Sequence, residues 1–213
     1  MSKIESTFLR LKSENKKALI PFITAGDPHP DMTVNMLHTL VESGADMIEV
    51  GIPFSDPMAD GPVIQRASER ALANDVGIKK TIQLVKEFRK QDTKTPIILM
   101  GYFNLIYQNG ENNFLKNCKS SGVDGLIIVD LPYPENKSFA NKCKRKSINF
   151  IQLLSPTTSK DRMKRIIKDS HDMIYYISML STTGGELKVS PKKILQKYNS
   201  IKRINPKKNL VIG

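Results

Sequence analysis

The sequence predicts an α/β fold of the (β/α)8-barrel kind, and three observations carry that expectation. Short runs that are apolar on both faces alternate with longer stretches of helical spacing, which is the pattern of a parallel sheet covered by helices. Polar or special residues gather after nearly every apolar run, as expected when a site is assembled from many βα loops at one end of a barrel. No GxGxxG or GxxxxGK[ST] follows the first run, which argues against a doubly wound nucleotide-binding sheet.

In chain order, the first strand is expected at 18–24 and a helix at 31–43. A second strand at 46–51 precedes one long helical stretch at 62–90, whose first residue, Pro62, suits a helix start. Strands at 96–101 and 125–130 frame a helix at 111–121, and Ile127-Ile128-Val129 leaves no face for water. Helices at 135–146, 160–169 and 191–204 alternate with strands at 149–154, 173–178 and 209–213, several of the helices opening on Asp, Ser or Pro. Seven strands are therefore legible. A complete barrel of this kind takes roughly 250 residues, so 1–213 is expected to be a single catalytic domain cut off after its seventh strand. It would then lack strand eight and the last helices, leave the first and seventh strands as open edges, and be weakly folded and nearly inactive by itself.

Composition narrows the function. Hydrophobic residues make up 39% and charged residues 25% of the chain, ordinary for a globular protein. No apolar run is long enough for a membrane span and the first residues lack an apolar signal stretch, so a cytoplasmic location is expected. Cys118 and Cys143 lie in polar stretches without CxxC spacing, and His29, His38 and His171 form no ligand pattern; no metal and no disulfide are expected. The formal charge of +12 invites a nucleic-acid reading. Residues 1–110 carry equal numbers of acidic and basic side chains, so the whole excess belongs to 111–213, on segments that read as outer helix faces with few interleaved aromatics. A base-stacking surface is not indicated.

The chemistry concentrates in Ile48-Glu-Val-Gly-Ile-Pro-Phe-Ser-Asp-Pro-Met-Ala-Asp-Gly-Pro-Val-Ile-Gln65. Side chains alternate along a strand, so Ile48 and Val50 face the helices while Met47, Glu49 and Gly51 face the interior. A carboxylate there is costly unless paired or used, and burial would lift its pKa toward the range that suits proton transfer. Glu49 is thus either a general acid–base or the partner of a cation on a neighbouring strand. Gly51, Pro53, Pro57, Gly61 and Pro62 stiffen the following loop, which can aim Asp60 over the same cavity; alternatively Asp56 and Asp60 are turn residues that bind their own backbone.

This stretch closely resembles the signature segment of tryptophan synthase α-subunits. The likeness continues through Pro21-Phe-Ile-Thr-Ala-Gly-Asp-Pro28, Met100-Gly-Tyr-Phe-Asn104, Gly122-Val-Asp-Gly125 with Asp130-Leu-Pro132, and Ser178 with Thr183-Gly184. The resemblance implies a retro-aldol cleavage of indole-3-glycerol phosphate to indole and glyceraldehyde 3-phosphate. It makes Glu49 the general acid and base, and Asp60 the acceptor of the indole N–H. Phe22, Met100, Ile127, Val129, Leu153 and Tyr175, at interior strand positions, would line the indole pocket, though each could equally be plain barrel core. Thr183, Gly184 and Gly213 would serve the substrate, the two glycines by letting a phosphate approach backbone N–H groups; a Gly-Ser pair that completes this cradle in the family has no counterpart here. One departure is Ser181, standing where the family commonly has glycine. The resemblance further implies no cofactor in this subunit and docking on a β-subunit that carries pyridoxal phosphate, in an α2β2 heterotetramer. Pro53, Phe54, Asp56, Asn104, Leu105, Gln108, Asn109, Asp130 and Pro132 are the candidate contacts, with Phe54 and Leu105 either exposed anchors, the preferred reading, or folded back over the barrel rim. Two alternatives stay open at this point: another phosphate-binding barrel enzyme, such as a sugar-phosphate or phosphoribosylanthranilate isomerase, and a basic nucleic-acid-binding module.

Overall fold

A computed structural model describes residues 1–178 and 190–213. Five short strands run parallel in the order β1 (Phe22–Thr24), β2 (Ile48–Gly51), β3 (Ile97–Gly101), β4 (Gly125–Ile128) and β5 (Asn149–Phe150). A second parallel group follows as β6 (Gln152–Leu154), β7 (Met173–Tyr176) and β8 (Asn209–Ile212). Only Ile151 separates β5 from β6, and its N–H still bonds to the Leu126 carbonyl at 2.9 Å, so among the described residues the two groups form one curved wall of seven staves. The staves match the seven expected strands, and each is followed or preceded by a helix, the arrangement of a (β/α)8 barrel.

Which face of the wall a side chain occupies follows from strand alternation. Ile48, Val50, Ile97, Leu99, Leu126, Ile128 and Phe150 join the cluster packed under the helices. Met47, Ile98, Ile127, Ile151 and Met173 join a second cluster inside the barrel. The helices opposite the sheet are α2 (Pro30–Glu42), α3 (Pro62–Ala73), α4 (Ile78–Phe88), α5 (Phe103–Asn109), α6 (Glu111–Ser120), α7 (Lys137–Arg145), α8 (Lys160–Asp169) and α9 (Pro191–Ile204). Their starts are local in origin. Pro30, Pro62 and Pro191 occupy first-turn positions, and the Ser159 and Ser190 side chains accept backbone N–H groups of the next turn.

Three features depart from the sequence reading. The stretch 62–90 is two helices, because Asp75 takes a left-handed backbone (φ 56) and Gly77 restarts the chain as the cap of α4. Helix α5 intervenes between β3 and α6. Helix α1 (Lys3–Ser13) was not expected, yet it reaches the end of the barrel remote from the βα loops: its Ile4 is fully buried in the interior cluster. Ser2 bonds to Asp172, and Arg10 holds Asp46 at 2.7 Å. Among the described residues no helix is long and apolar enough to cross a membrane.

Candidate active site

Glu49 lies on β2 with its neighbours in register, Phe22 on β1 and Ile98 on β3. The outward packing of Ile48 and Val50 turns it into the barrel, where it is 4% exposed. Among the described residues its Oε1 has no hydrogen-bond partner. Burial pushes its pKa from 4.5 up to about 7, and among the described residues no cation pairs with it. An ion-paired structural glutamate would show the opposite shift. Across the barrel, the Tyr175 phenol is raised by burial and by the charge of Glu49, which puts the two groups within electrostatic reach.

Asp60 sits in the loop between β2 and α3. Its main-chain N–H bonds back to the Pro57 carbonyl at 3.2 Å, and its carbonyl accepts Gln65 Nε2 at 2.8 Å, so the turn is fixed through the backbone. The carboxylate is left to act. Burial raises its pKa, and a hydrogen bond from the Tyr102 hydroxyl draws it back down. Asp60 lines a small cavity with Phe22, Thr24, Gly51, Met100, Tyr102 and Val129. Gly51 is required there by close approach: a Cβ would meet the Phe22 ring at 2.6 Å.

The apolar candidates divide between that cavity and the barrel interior. Ile127 is fully buried in the interior cluster, with Met100, Val129, Leu153 and Tyr175 partly buried against it. Tyr175 also explains Gly213, since a Cβ at Gly213 would fall 1.7 Å from the Tyr175 hydroxyl oxygen. The amide of Gly213, expected to face a phosphate, donates instead to the Tyr176 carbonyl at 3.1 Å, and the Gly213 carbonyl accepts Ser178 N–H at 2.7 Å. That main-chain pair belongs to the sheet; what the glycine contributes is room for a phenol. Thr183, Gly184 and Ser181 lie outside the described residues.

Comparison with known proteins decides the family. The family described as tryptophan synthase alpha chain matches over residues 8–212. The tryptophan synthase alpha chain of Pelagibacter ubique is 56% identical over all 213 residues of this chain and 80% of its own length. The crystal structure of the alpha subunit from Legionella pneumophila str. Paris superposes with a TM-score of 0.90 at 43% identity, covering all of this chain and 78% of that one. A chain from a structure of the tryptophan synthase a2b2 complex of Pyrococcus furiosus superposes at 0.78 with 35% identity, covering 92% and 86%. This chain belongs to the tryptophan synthase alpha chain family. With that, the resemblance in 48–65 is upheld and the isomerase alternative falls away: the activity is that of a carbon–carbon lyase of tryptophan biosynthesis acting on indole-3-glycerol phosphate.

For an alpha chain, the residues around the barrel mouth are of interest as a surface. Asp56, Asn104, Gln108 and Pro132 are exposed there, and Asn109 is half-buried. Asp130 is turned inward, its carboxylate accepting the Phe103 N–H at 2.7 Å and so fixing the start of α5. The expected anchors are placed otherwise than the sequence suggested. Leu105 packs against the outer core, Phe54 lies against the Tyr102 ring at 5.1 Å, and Pro53 is buried. Met58, 77% exposed, and Tyr107, 67% exposed, are large apolar side chains that project near this end. Tyr102 is not legible as a functional residue from sequence, because the Ala59 N–H that its hydroxyl accepts lies 43 residues earlier in the chain.

Cys118 and Cys143 are free and buried on α6 and α7, and burial pushes the Cys143 thiol up to about 12, which leaves it unreactive near neutrality. Among the described residues no group of three or more His, Cys, Asp or Glu side chains could hold a metal ion.

Proposed function

We propose that Glu49 and Asp60 carry the family's reaction in this chain, a retro-aldol cleavage of indole-3-glycerol phosphate. The single observation behind the proposal is the Glu49 carboxylate, buried, with Oε1 unpartnered among the described residues, and lifted to about 7 inside an apolar barrel. A group with that pKa is present in both protonation states near neutral pH and can give a proton and take one in the same turnover. In the protonated form Glu49 delivers its proton to indole C3. The ring becomes a cation, and Asp60 accepts a hydrogen bond from the indole N–H and stabilises that charge. The Glu49 carboxylate so formed takes the proton of the side-chain hydroxyl. The electrons of that O–H bond form the new carbonyl, the carbon–carbon bond breaks, and its electron pair returns to the ring. The products are indole and glyceraldehyde 3-phosphate, with Glu49 protonated again. Phe22, Met100, Ile127, Val129, Leu153 and Tyr175 supply the apolar slot that disfavours water and keeps Glu49 raised.

The test is release of indole by Glu49→Gln and Asp60→Asn. Each is expected to lose at least about 100-fold in kcat, the range for removal of a general acid–base or a charge-stabilising acceptor. A Glu49→Gln protein that keeps the parent rate would overturn the proposal.

The Pyrococcus furiosus neighbour comes from an a2b2 complex. We extend that assembly to this chain, with a β-subunit carrying pyridoxal phosphate docked on the mouth and no cofactor in the alpha chain itself. The exposed Met58 and Tyr107 serve as its apolar contacts, with Asp56, Asn104, Gln108 and Pro132 around them.

A further inference from the structure

We propose that Tyr102 is a positioning residue of this reaction, its ring and hydroxyl pinning segment 54–60 so that the Asp60 carboxylate stands over the cavity. The proposal rests on the role given to Asp60 above. Tyr102 directly follows β3, is 3% exposed, and lines the same cavity as Asp60, Phe22, Met100 and Val129. It grips the loop at three points. Its ring lies 5.1 Å from that of Phe54. Its hydroxyl accepts the Ala59 N–H at 3.0 Å. The same hydroxyl lies beside the Asp60 carboxylate, on the one cavity both line, and holds its pKa down as a donated proton does.

The bonding has a direction. A phenol has a single proton to give, and burial keeps this one from ionising. With Ala59 N–H directed at the oxygen's lone pair, the proton turns toward Asp60. Among the described residues, the other hydrogen bonds of Asp60 run through its main chain, to Pro57 and from Gln65, and fix where the residue sits without fixing where its carboxylate points. Tyr102 supplies that second constraint. A hydrogen bond given to a carboxylate also stabilises its charged form, so Tyr102 keeps Asp60 ionised and able to accept the indole N–H.

The experiment compares Tyr102→Phe, Asp60→Asn and the double variant, measuring indole release from indole-3-glycerol phosphate across pH. Tyr102→Phe keeps the ring on Phe54 and removes only the hydroxyl. Its kcat/KM is expected to fall about 10-fold, and the acid limb of its pH profile is expected to move to higher pH, since Asp60 has lost the bond that held its pKa down. In the Asp60→Asn background the same change is expected to alter kcat/KM by less than about 2-fold, because residues that act through one another are not additive. An unmoved acid limb in Tyr102→Phe, or an equal fall in both backgrounds, would overturn the positioning role while leaving Asp60 its function. An Asp60→Asn enzyme as active as the parent would overturn the reading of Asp60 itself.

Discussion

A carboxylate held at about 7 inside a barrel is in tension with the stability of the protein that holds it, and the sign can be worked out for Glu49. Its pKa is 4.5 when exposed and about 7 when folded, burial being the cause. Below pH 4.5 it is protonated in both states and the fold bears no penalty. Between 4.5 and 7 the unfolded chain releases the proton first, so stability falls as pH rises. Above 7 the full penalty, about 3 kcal/mol, is present. Glu49→Gln keeps the shape and cannot ionise. The variant's stability relative to the parent is therefore expected to climb by about 3 kcal/mol between pH 4 and pH 8, read from urea unfolding at a series of pH values. A difference that stays flat with pH would show that Glu49 is not held in the raised state. The same residue would then gain stability and lose turnover in one substitution, the trade expected where a fold carries strain for function.

At the scale of elements, one side chain joins four segments at the end of the barrel remote from the active site. Arg89, just after α4, donates to the carbonyls of Gly122 at 2.9 Å, Thr95 at 2.7 Å and Asp92 at 3.1 Å, and to the Asp124 carboxylate at 2.7 Å. It thus joins the ends of α4 and α6 to the entries of β3 and β4, with both charged groups largely shielded. Arg89→Met keeps the stem and removes the donors, leaving three carbonyls short of partners while Asp124 keeps Lys3 and the Ile97 N–H, and is expected to cost about 2–3 kcal/mol. Thermal and urea unfolding would measure it, and a loss below about 1 kcal/mol would mean that water replaces the guanidinium. Such a hub could not be read from sequence, because its partners are mostly main-chain carbonyls. What could be read were the strands, whose apolar runs fix both register and facing: Ile48 and Val50 outward, Met47 and Glu49 inward. Helix α1 was missed although Ser2-Lys-Ile-Glu5 has the form of a capping box, and the Ser2 hydroxyl does accept the Glu5 N–H at 3.0 Å. The division of 62–90 was missed because its helical spacing is almost continuous across Asn74-Asp-Val-Gly77. Tyr102 was missed for a different reason, since only the folded loop brings Ala59 and Asp60 to its hydroxyl.

For the whole molecule, the distribution of buried surface sets the order in which parts open. The cluster beneath α2 to α7 gathers the fully buried Leu37, Val85, Phe88, Ile106 and Phe114 against β2, β3 and β4, each of which is hydrogen-bonded to strands on both sides. The group of β6, β7 and β8 rests on a smaller cluster around Leu154, Met163, Ile174 and Ile201. Among the described residues β8 pairs with β7 alone and none of its side chains is buried, while Leu195 on α9 is 58% exposed. Apolar burial is the main favourable term in folding, at about 25 cal/mol per Å², so the α9–β8 unit has less to lose by detaching than the β2–β4 core. Native-state hydrogen exchange should therefore show two tiers. The β8 amides of Leu210, Val211 and Ile212 are expected to exchange through a sub-global opening at least about 2 kcal/mol below that of Val50, Leu99 and Leu126. Adding denaturant should merge the tiers only as global unfolding is approached. Equal protection in β8 and β3 would mean that the described strands open as one cooperative unit.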